Sequence, residues 1–307
     1  MAAANSSKLV IYAALGGNLL IAFTKLVAAI WTGSSAMLSE SVHSLVDTGN
    51  QGLMLYGIHR ANQPPDRLHP LGYGRELYFW SFIVALLIFS LGAGISLYEG
   101  VAHIREPVVV TSPSVNYAVL GVSFLFEGVT WWIAWREFAR QRGDLGIIDA
   151  VTRSRDPTSF LVLFEDSAAL IGIVIALAGT LSAEILSIPE LDGVASIGIG
   201  LVLAATAVFL ARESKSLLIG EPARELVVRS IDAMVRGHAG VSGVGRLITV
   251  HLAPEQIVVS MDVDFANDLR ASEVETIVGD LDRQLKEKHK DVIALFVNPR
   301  AAGTPTA

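Results

Sequence analysis

Ser39–Asn50 reads SESVHSLVDTGN, and the way this stretch is understood decides the fold. It lies inside a longer segment, about Ala36–Ile58, that has the length of a membrane-crossing helix. Glu40, His43 and Asp47 therefore fall where lipid or a protein interior must be. Ionisable side chains at that depth are costly and mark a bundle interior or an ion path. His43 and Asp47 are four residues apart, so an imidazole and a carboxylate share one helix face. Ser39 lies one turn earlier on that face.

The rest of the chain supplies the bundle. Of 307 residues, 52% are hydrophobic and only 17% charged, against about 25% charged in a soluble domain. The mean hydropathy is +0.51. Apolar runs near Leu9–Trp31, Ala36–Ile58, Leu77–Val101, Ser114–Trp135, Thr158–Leu181 and Leu191–Arg212 predict six transmembrane helices. The N-terminus runs straight into the first, which reads as a span and not as a removable signal. Arg60, Arg67, Arg75, Arg136, Arg140, Arg142, Arg153 and Arg155 fall in the second and fourth links, Lys8 before the first span, and Arg212 and Lys215 after the sixth. The remaining links hold only Arg105, so both termini are expected in the cytoplasm.

Beyond Arg212 the pattern changes. An amphipathic helix, two alternating segments (Arg246–Leu252 and Gln256–Phe265), a helix over Ala271–His289 opened by Ser272 or Asp268, and a strand over Asp291–Val297 predict a small α+β domain. The expected organisation is a transmembrane domain over 1–212, a cytosolic domain over 213–300 and a disordered tail over 301–307.

Several functions are poorly supported. There is no basic tract with interleaved aromatics, so nucleic acid is not an expected partner. There is no cysteine, which removes disulfides and thiolate metal sites. HExxH, GxSxG and Walker motifs are missing, which argues against a protease or an ATP-driven pump. Work in the membrane would then draw on an ion gradient.

A second acidic pair, Glu165 and Asp166, sits in the fifth span within LVLFEDSAALIG. Neighbouring helical residues point about 100° apart, so the two cannot face one centre equally. Ser167, Ala168 and Ala169 would let this helix approach a neighbour. If the second and fifth spans face each other, His43, Asp47 and Asp166 converge. That mixed nitrogen and oxygen set suits Zn2+ first, with Co2+, Fe2+, Mn2+ or Cd2+ as alternatives. Lys25 reads as a partner for a site carboxylate or as a snorkelling side chain. Glu99, Arg105 and Glu127 read as structural pairs at least as readily as transport residues, Asn18 and Asn50 as interhelical hydrogen bonders, Asp192 as a cap of its own helix, and Gly92 and Gly94 as packing residues.

At these residues the chain resembles the cation diffusion facilitator family of divalent-metal/proton antiporters. TGSSAMLSESVHSLVDTGNQ resembles that family's second-span signature, QPPDRLHPLGYGRELYFW its loop and third-span entry, PELDGVASIGIGLVL its sixth span, and LLIGEPAREL the exit to its cytosolic domain. The resemblance implies an α-helical membrane protein with six spans and a ferredoxin-like cytosolic domain. It also implies a homodimer, no organic cofactor, and metal export driven by proton entry through alternating access. By the same resemblance His43, Asp47 and Asp166 bind the metal, while Val162 stands where a fourth ligand is expected. Glu165 is then the fourth ligand or a proton carrier, as in the branch with an acidic pair in the fifth span. In the loop, Asp66 and His69 match a further metal site whose second His is here Tyr73. In the C-terminal domain Asp262 matches one sensing ligand, Asn298 stands where an Asp often does, and His238, His251 and His289 fit the pattern poorly. Dimerisation is the expected role of that domain, over a sheet carrying Val258, Met261 and Val263. A bacterial inner membrane is the expected location. Val162 also keeps open a non-transporting membrane protein with a degenerate site.

Overall fold

The computed structural model describes residues 2–143, 146–152 and 154–300. The expected tail 301–307, and Arg153 among the loop charges, lie outside the described residues. The chain divides into two compact units. The first comprises Met1–Arg60, Phe79–Thr152 and Pro157–Ser214; the second comprises Ala61–Tyr78, a short piece ending at Asp156, and the chain from Lys215.

Long helices make up the first two thirds of the sequence. They are α1 (Ala2–Thr32), α2 (Ser35–Ala61), α3 (Glu76–Leu87), α4 (Gly94–Arg105), α5 (Pro113–Arg142), α7 (Pro157–Leu186) and α8 (Glu190–Ile219), with a short α6 (Ile147–Thr152) in the link before α7. Helix boundaries follow local chemistry. Gly33 takes a left-handed φ of 72° where α1 turns into α2. Pro113 opens α5, where its missing N–H would have no helical partner.

Among the described residues, five stretches are long and apolar enough to cross a membrane: Leu15–Thr32, Glu76–Arg105, Pro113–Arg140, Phe160–Leu186 and Glu190–Ile219. The remaining long helix, α2, has 27 residues, or about 40 Å at the α-helical rise. Its length suffices for a hydrocarbon core of about 30 Å. Composition holds it back, because Glu40, His43, Asp47, Asn50 and a row of serines replace apolar residues.

The third apolar stretch is continuous but not uniform. Between α3 and α4 the chain makes a π-helical turn, Ile88–Ala93. The Gly94 N–H reaches back five residues to the Phe89 carbonyl. Such a turn inserts one residue and re-aims the faces on either side of it. Just beyond it, α4 meets α8 at unusually short range. A Cβ on Gly100 would lie 2.7 Å from the Gly193 carbonyl and 2.8 Å from the Ile197 nitrogen. Gly92 and Gly94, expected as the packing residues, sit in looser surroundings, with nearest neighbours at 3.4 Å and 3.8 Å.

The second unit is a three-stranded sheet with two helices. α9 (Glu225–Arg236) leads into β1 (Val241–Ala253) and β2 (Gln256–Phe265); α10 (Ala271–Lys288) then crosses to β3 (Val292–Pro299). The strand order is β1-β2-β3, antiparallel between the first two and parallel between the last two. Ile277, Leu281 and Leu285 recur every turn on α10 and pack with Ile231 and Val235 of α9 onto Ile257, Val259, Met261 and Val263. This corrects one expectation: Met261 and Val263 lie in the core beneath the helices. The uncovered face carries Val258 with Ile248 and Phe296, which are 40% and 52% exposed. The start of α10 also differs. Arg270 occupies the capping position, and its N–H donates to the Glu273 carboxylate at 2.7 Å.

Segments from the connecting links complete this unit. Arg155 pairs with Glu221 and donates to the Pro222 carbonyl, while the Tyr78 hydroxyl donates to the Arg155 carbonyl at 3.0 Å. His251 is buried, with Nδ1 at 3.1 Å from the Ala253 carbonyl. Burial is the main cause that pushes its pKa below the ordinary 6.5, with Arg155 and Arg224 adding to it. A His with a lowered folded pKa takes up a proton more readily when unfolded. Its stabilising effect is therefore complete above pH 6.5 and fades as pH falls through the lowered value. The unfolding midpoint of the wild type should drop with acidification through this window, and His251→Asn should flatten that slope. Parallel slopes for the two proteins would contradict the assignment.

Candidate functional site

The polar residues of α2 fall on interfaces within the bundle. Asn18 of α1 donates to the Gln51 side chain at 3.0 Å, and Asn50 donates to Glu165 Oε1 on α7 at 2.8 Å. Ser39 hydrogen-bonds Ser196 of α8, which in turn donates to the Ser96 carbonyl of α4. The expected interhelical roles of Asn18 and Asn50 are thus seen directly. Asp192 does something different from the cap assigned to it. Its carboxylate accepts from Ser34 Oγ at 2.8 Å and from the Ala36 N–H at 3.1 Å, so it caps α2, whose sequence lacks an acidic residue in its own first turn.

Lys25 does not snorkel. Its ammonium is fully buried and donates to Glu40 Oε2 at 3.1 Å and to Ser44 Oγ at 2.8 Å. Glu40 presses its other carboxylate oxygen against α7 at Gly172, where a Cβ would collide with it. Only glycine leaves room for that approach.

One turn further along α2, His43 Nδ1 and Asp47 Oδ1 stand 3.3 Å apart, with the side chains 1% and 14% exposed. The pair is close but not aligned as a hydrogen bond. Both ring nitrogens of His43, Oδ1 of Asp47 and Oδ2 of Asp166 are buried with no hydrogen-bond partner among the described residues. Buried polar atoms are nearly always partnered. An imidazole nitrogen and carboxylate oxygens without partners are the atom types that ligate a cation such as zinc.

Glu165 and Asp166 line a cavity of about 440 Å³, together with Asn18, Gln51, Met54, Thr130 and Val162. Asp47 feels the charges of Glu165, Asp166 and Glu127. Glu127 of α5, weighed from the sequence as a structural pair or a transport residue, acts on the same carboxylate. Its signal was a lone carboxylate deep in an apolar run. The four residues proposed from the sequence do not close into one ligand set here. Among the described residues, no three His, Asp or Glu side chains form a group that could hold a metal ion. What the bundle brings together is the His43–Asp47 pair on α2 and an acidic pair on α7 tied to α2 through Asn50.

The other candidate ligands are engaged elsewhere. Asp66 accepts from the Leu68 and His69 N–H groups and from the Tyr73 hydroxyl, at 2.7 Å for the last. The Tyr73 bond is the main cause that holds Asp66 below the ordinary carboxylate pKa. The His69 ring lies on Tyr73 with centroids 4.1 Å apart. In the second unit Asp262 accepts from Asn298 and pairs with Arg300, each at 3.3 Å. His289 meets Ser230, and His238 meets the Ala239 carbonyl.

Comparisons with known proteins give the family of the helical part of the chain. The sequence model of the cation efflux transmembrane domain matches residues 11–219. The chain is 33% identical over 259 residues to the mitochondrial proton-coupled zinc antiporter SLC30A9 of Homo sapiens, covering 83% of this chain and 45% of that protein. It is 36% identical over 193 residues to metal tolerance protein C4 of Arabidopsis thaliana, covering 62% and 42%. A 26% identity over 185 residues links it to the magnetosome protein MamB of Magnetospira, covering 58% and 56%. The chain thus spans less than half the length of the first two relatives.

Proposed function

This chain belongs to the cation efflux family, and on that premise we propose that it carries divalent metal cations across a membrane, zinc first among them, in exchange for protons. The observation that carries the reading is the set of buried, unpartnered donor atoms on His43, Asp47 and Asp166. In the proposed cycle His43 and Asp47 take the ion from one side and Asp166 from the other. Glu165 exchanges its bond to Asn50 for the ion or for a proton. Protons and a metal ion compete for the same lone pairs, so loading one expels the other. Closing the two halves around an ion is the work assigned to alternating access. The direction is export from the cytosol, with both termini cytoplasmic as the loop arginines suggest. The membrane is one that holds a proton gradient, a bacterial inner membrane by the sequence; the human relative is named as mitochondrial.

The protein is proposed to act as a homodimer. The supporting feature is the uncovered sheet face carrying Ile248 and Phe296.

The test is zinc flux into proteoliposomes under an imposed pH gradient. Gradient-dependent flux supports antiport. Competition by cobalt, iron, manganese and cadmium then ranks the substrates, and silence from all of them removes the transport reading.

Val162 favours a weakened site as the second reading. It lies 37% exposed, one turn before Asp166, and lines the same cavity. Val162→His should place an imidazole beside the acidic pair and tighten zinc binding at least about tenfold. Titration calorimetry on the purified protein measures it; unchanged affinity would mean that this helix face does not meet the ion.

A further inference from the structure

α8 supplies no residue to the proposed site, yet its buried polar face grips α2 twice. Asp192 and Ser196 are four residues apart on α8, so they share a face, and both are fully buried. Asp192 Oδ1 accepts from Ser34 Oγ at 2.8 Å and Oδ2 from the Ala36 N–H at 3.1 Å. Ser34 Oγ in turn accepts from the Met37 N–H at 3.1 Å, which closes the first turn of α2. One turn along, the Ser39 and Ser196 hydroxyls meet. Ser196 spends its proton on the Ser96 carbonyl of α4, at 2.8 Å, so Ser39 is the donor within the pair. His43 and Asp47 follow Ser39 at one and two turns on the same helix face.

The same carboxylate reaches α7, where Thr180 donates to Asp192 Oδ1 at 3.3 Å. Beside Thr180, Gly179 leaves no room for a Cβ against Ala195 of α8. α8 is itself seated on α4 through Gly193 and Gly100. It is therefore a fixed backing for both helices that carry His43, Asp47, Glu165 and Asp166. Slipping a helix by one residue moves it about 1.5 Å and turns it about 100°. Holds in two successive turns of α2 oppose both movements. We propose that Asp192 and Ser196 are positioning residues for the metal site: from α8 they fix the height and rotation of α2, so that His43 and Asp47 face α7. This rests on the transport reading for the ion, and it adds a helix that touches neither the ion nor its ligands. Groups that only orient a ligand are worth about 10–100-fold in affinity.

The experiment reads geometry and binding separately. The chain has no cysteine, so Leu45→Cys on α2 and Ile171→Cys on α7, both exposed, each take one spin label. Their distance distribution should be narrow in the otherwise unchanged chain and should shift or broaden in Ser196→Ala and Asp192→Asn. In unlabelled protein the zinc Kd should rise at least about tenfold in both variants. Ser196→Thr keeps the hydroxyl and should restore both readouts. Ser39→Ala should match Ser196→Ala, and the double variant should bind no more weakly than either, because the two side chains share one bond. Asp192→Asn leaves the buried Ala36 N–H facing an amide and can fail to fold. The serine variants each lose a single hydroxyl and carry the test alone.

A merely structural role would lower the yield of folded protein and leave the label distance and the zinc Kd of the folded fraction where they were. That result, or additive losses in the double serine variant, would overturn the inference; with normal zinc flux in the wild type, the transport reading would still stand. Shifted distances in the variants, with neither zinc binding nor flux in the wild type, would support the hold of α8 on α2 and remove that reading.

Discussion

Replacing Asp47 with alanine should abolish gradient-driven zinc flux while leaving the protein folded and at least as heat-stable as before. Two features make the effects separate. Asp47 Oδ1 has no hydrogen-bond partner among the described residues; its close neighbour is His43 Nδ1 at 3.3 Å. Removing the carboxylate therefore breaks no network and strands no buried donor. It also takes an ionisable side chain out of the bundle interior, where such groups are costly. Function goes the other way. Losing a partner that only supports a ligand costs about 10–100-fold in affinity or activity, and loss of a ligand itself should exceed that range. The two assays are zinc flux in proteoliposomes and thermal unfolding in detergent. Full flux in the variant would remove Asp47 from the site, and with it the proposed reading of α2.

The second large effect lies in packing. Gly100→Val should lower the unfolding midpoint by ~6–12 °C, the shift for about 3 kcal/mol in a protein of this size class. The reason is the crossing of α4 with α8. A Cβ on Gly100 would sit 2.6 Å from Ile197 Cγ1 and within 2.8 Å of two α8 backbone atoms, and one on Gly193 would sit 2.9 Å from the Gly100 carbonyl. Side chains can rotate out of the way; two helix backbones cannot. Overpacking costs about 1–3 kcal/mol, and a contact of backbone with backbone belongs at the top of that range. Gly121→Ala is the control, because nothing lies within 4 Å of its Cβ position. There alanine should stabilise by up to about 1 kcal/mol through helix propensity. Equal midpoints for the two variants would mean that α4 and α8 do not cross so closely.

The helices were legible because membrane spans announce themselves by length and apolarity, and the C-terminal order of helix, strand, strand, helix, strand followed from its periodicities. His43 and Asp47 were legible for the same reason inverted, as polar residues in an apolar context. What the sequence did not display was partnership. Asp192 looks like a cap for the helix that contains it, and only the fold shows that it caps α2. Lys25 had several candidate partners; that Glu40 is the one, and that Gly172 makes room for it, depends on which helix faces meet. The faces of β2 were misread because Met261, Asp262 and Val263 are consecutive and all buried, so alternation gives no guide at that end of the strand. The π-helical turn leaves no mark in hydropathy, since adding one residue changes direction and not composition.

The cap on α2 bears on how the protein is made. A helix whose own residues are too polar to favour lipid enters the bilayer poorly on its own. α2 leaves the ribosome after α1, so Lys25 is already present to neutralise Glu40. The carboxylate that satisfies its first turn belongs to a residue synthesised 156 positions later. That cap can therefore form only after α8 has been made, and until then the first turn of α2 lacks its acidic partner.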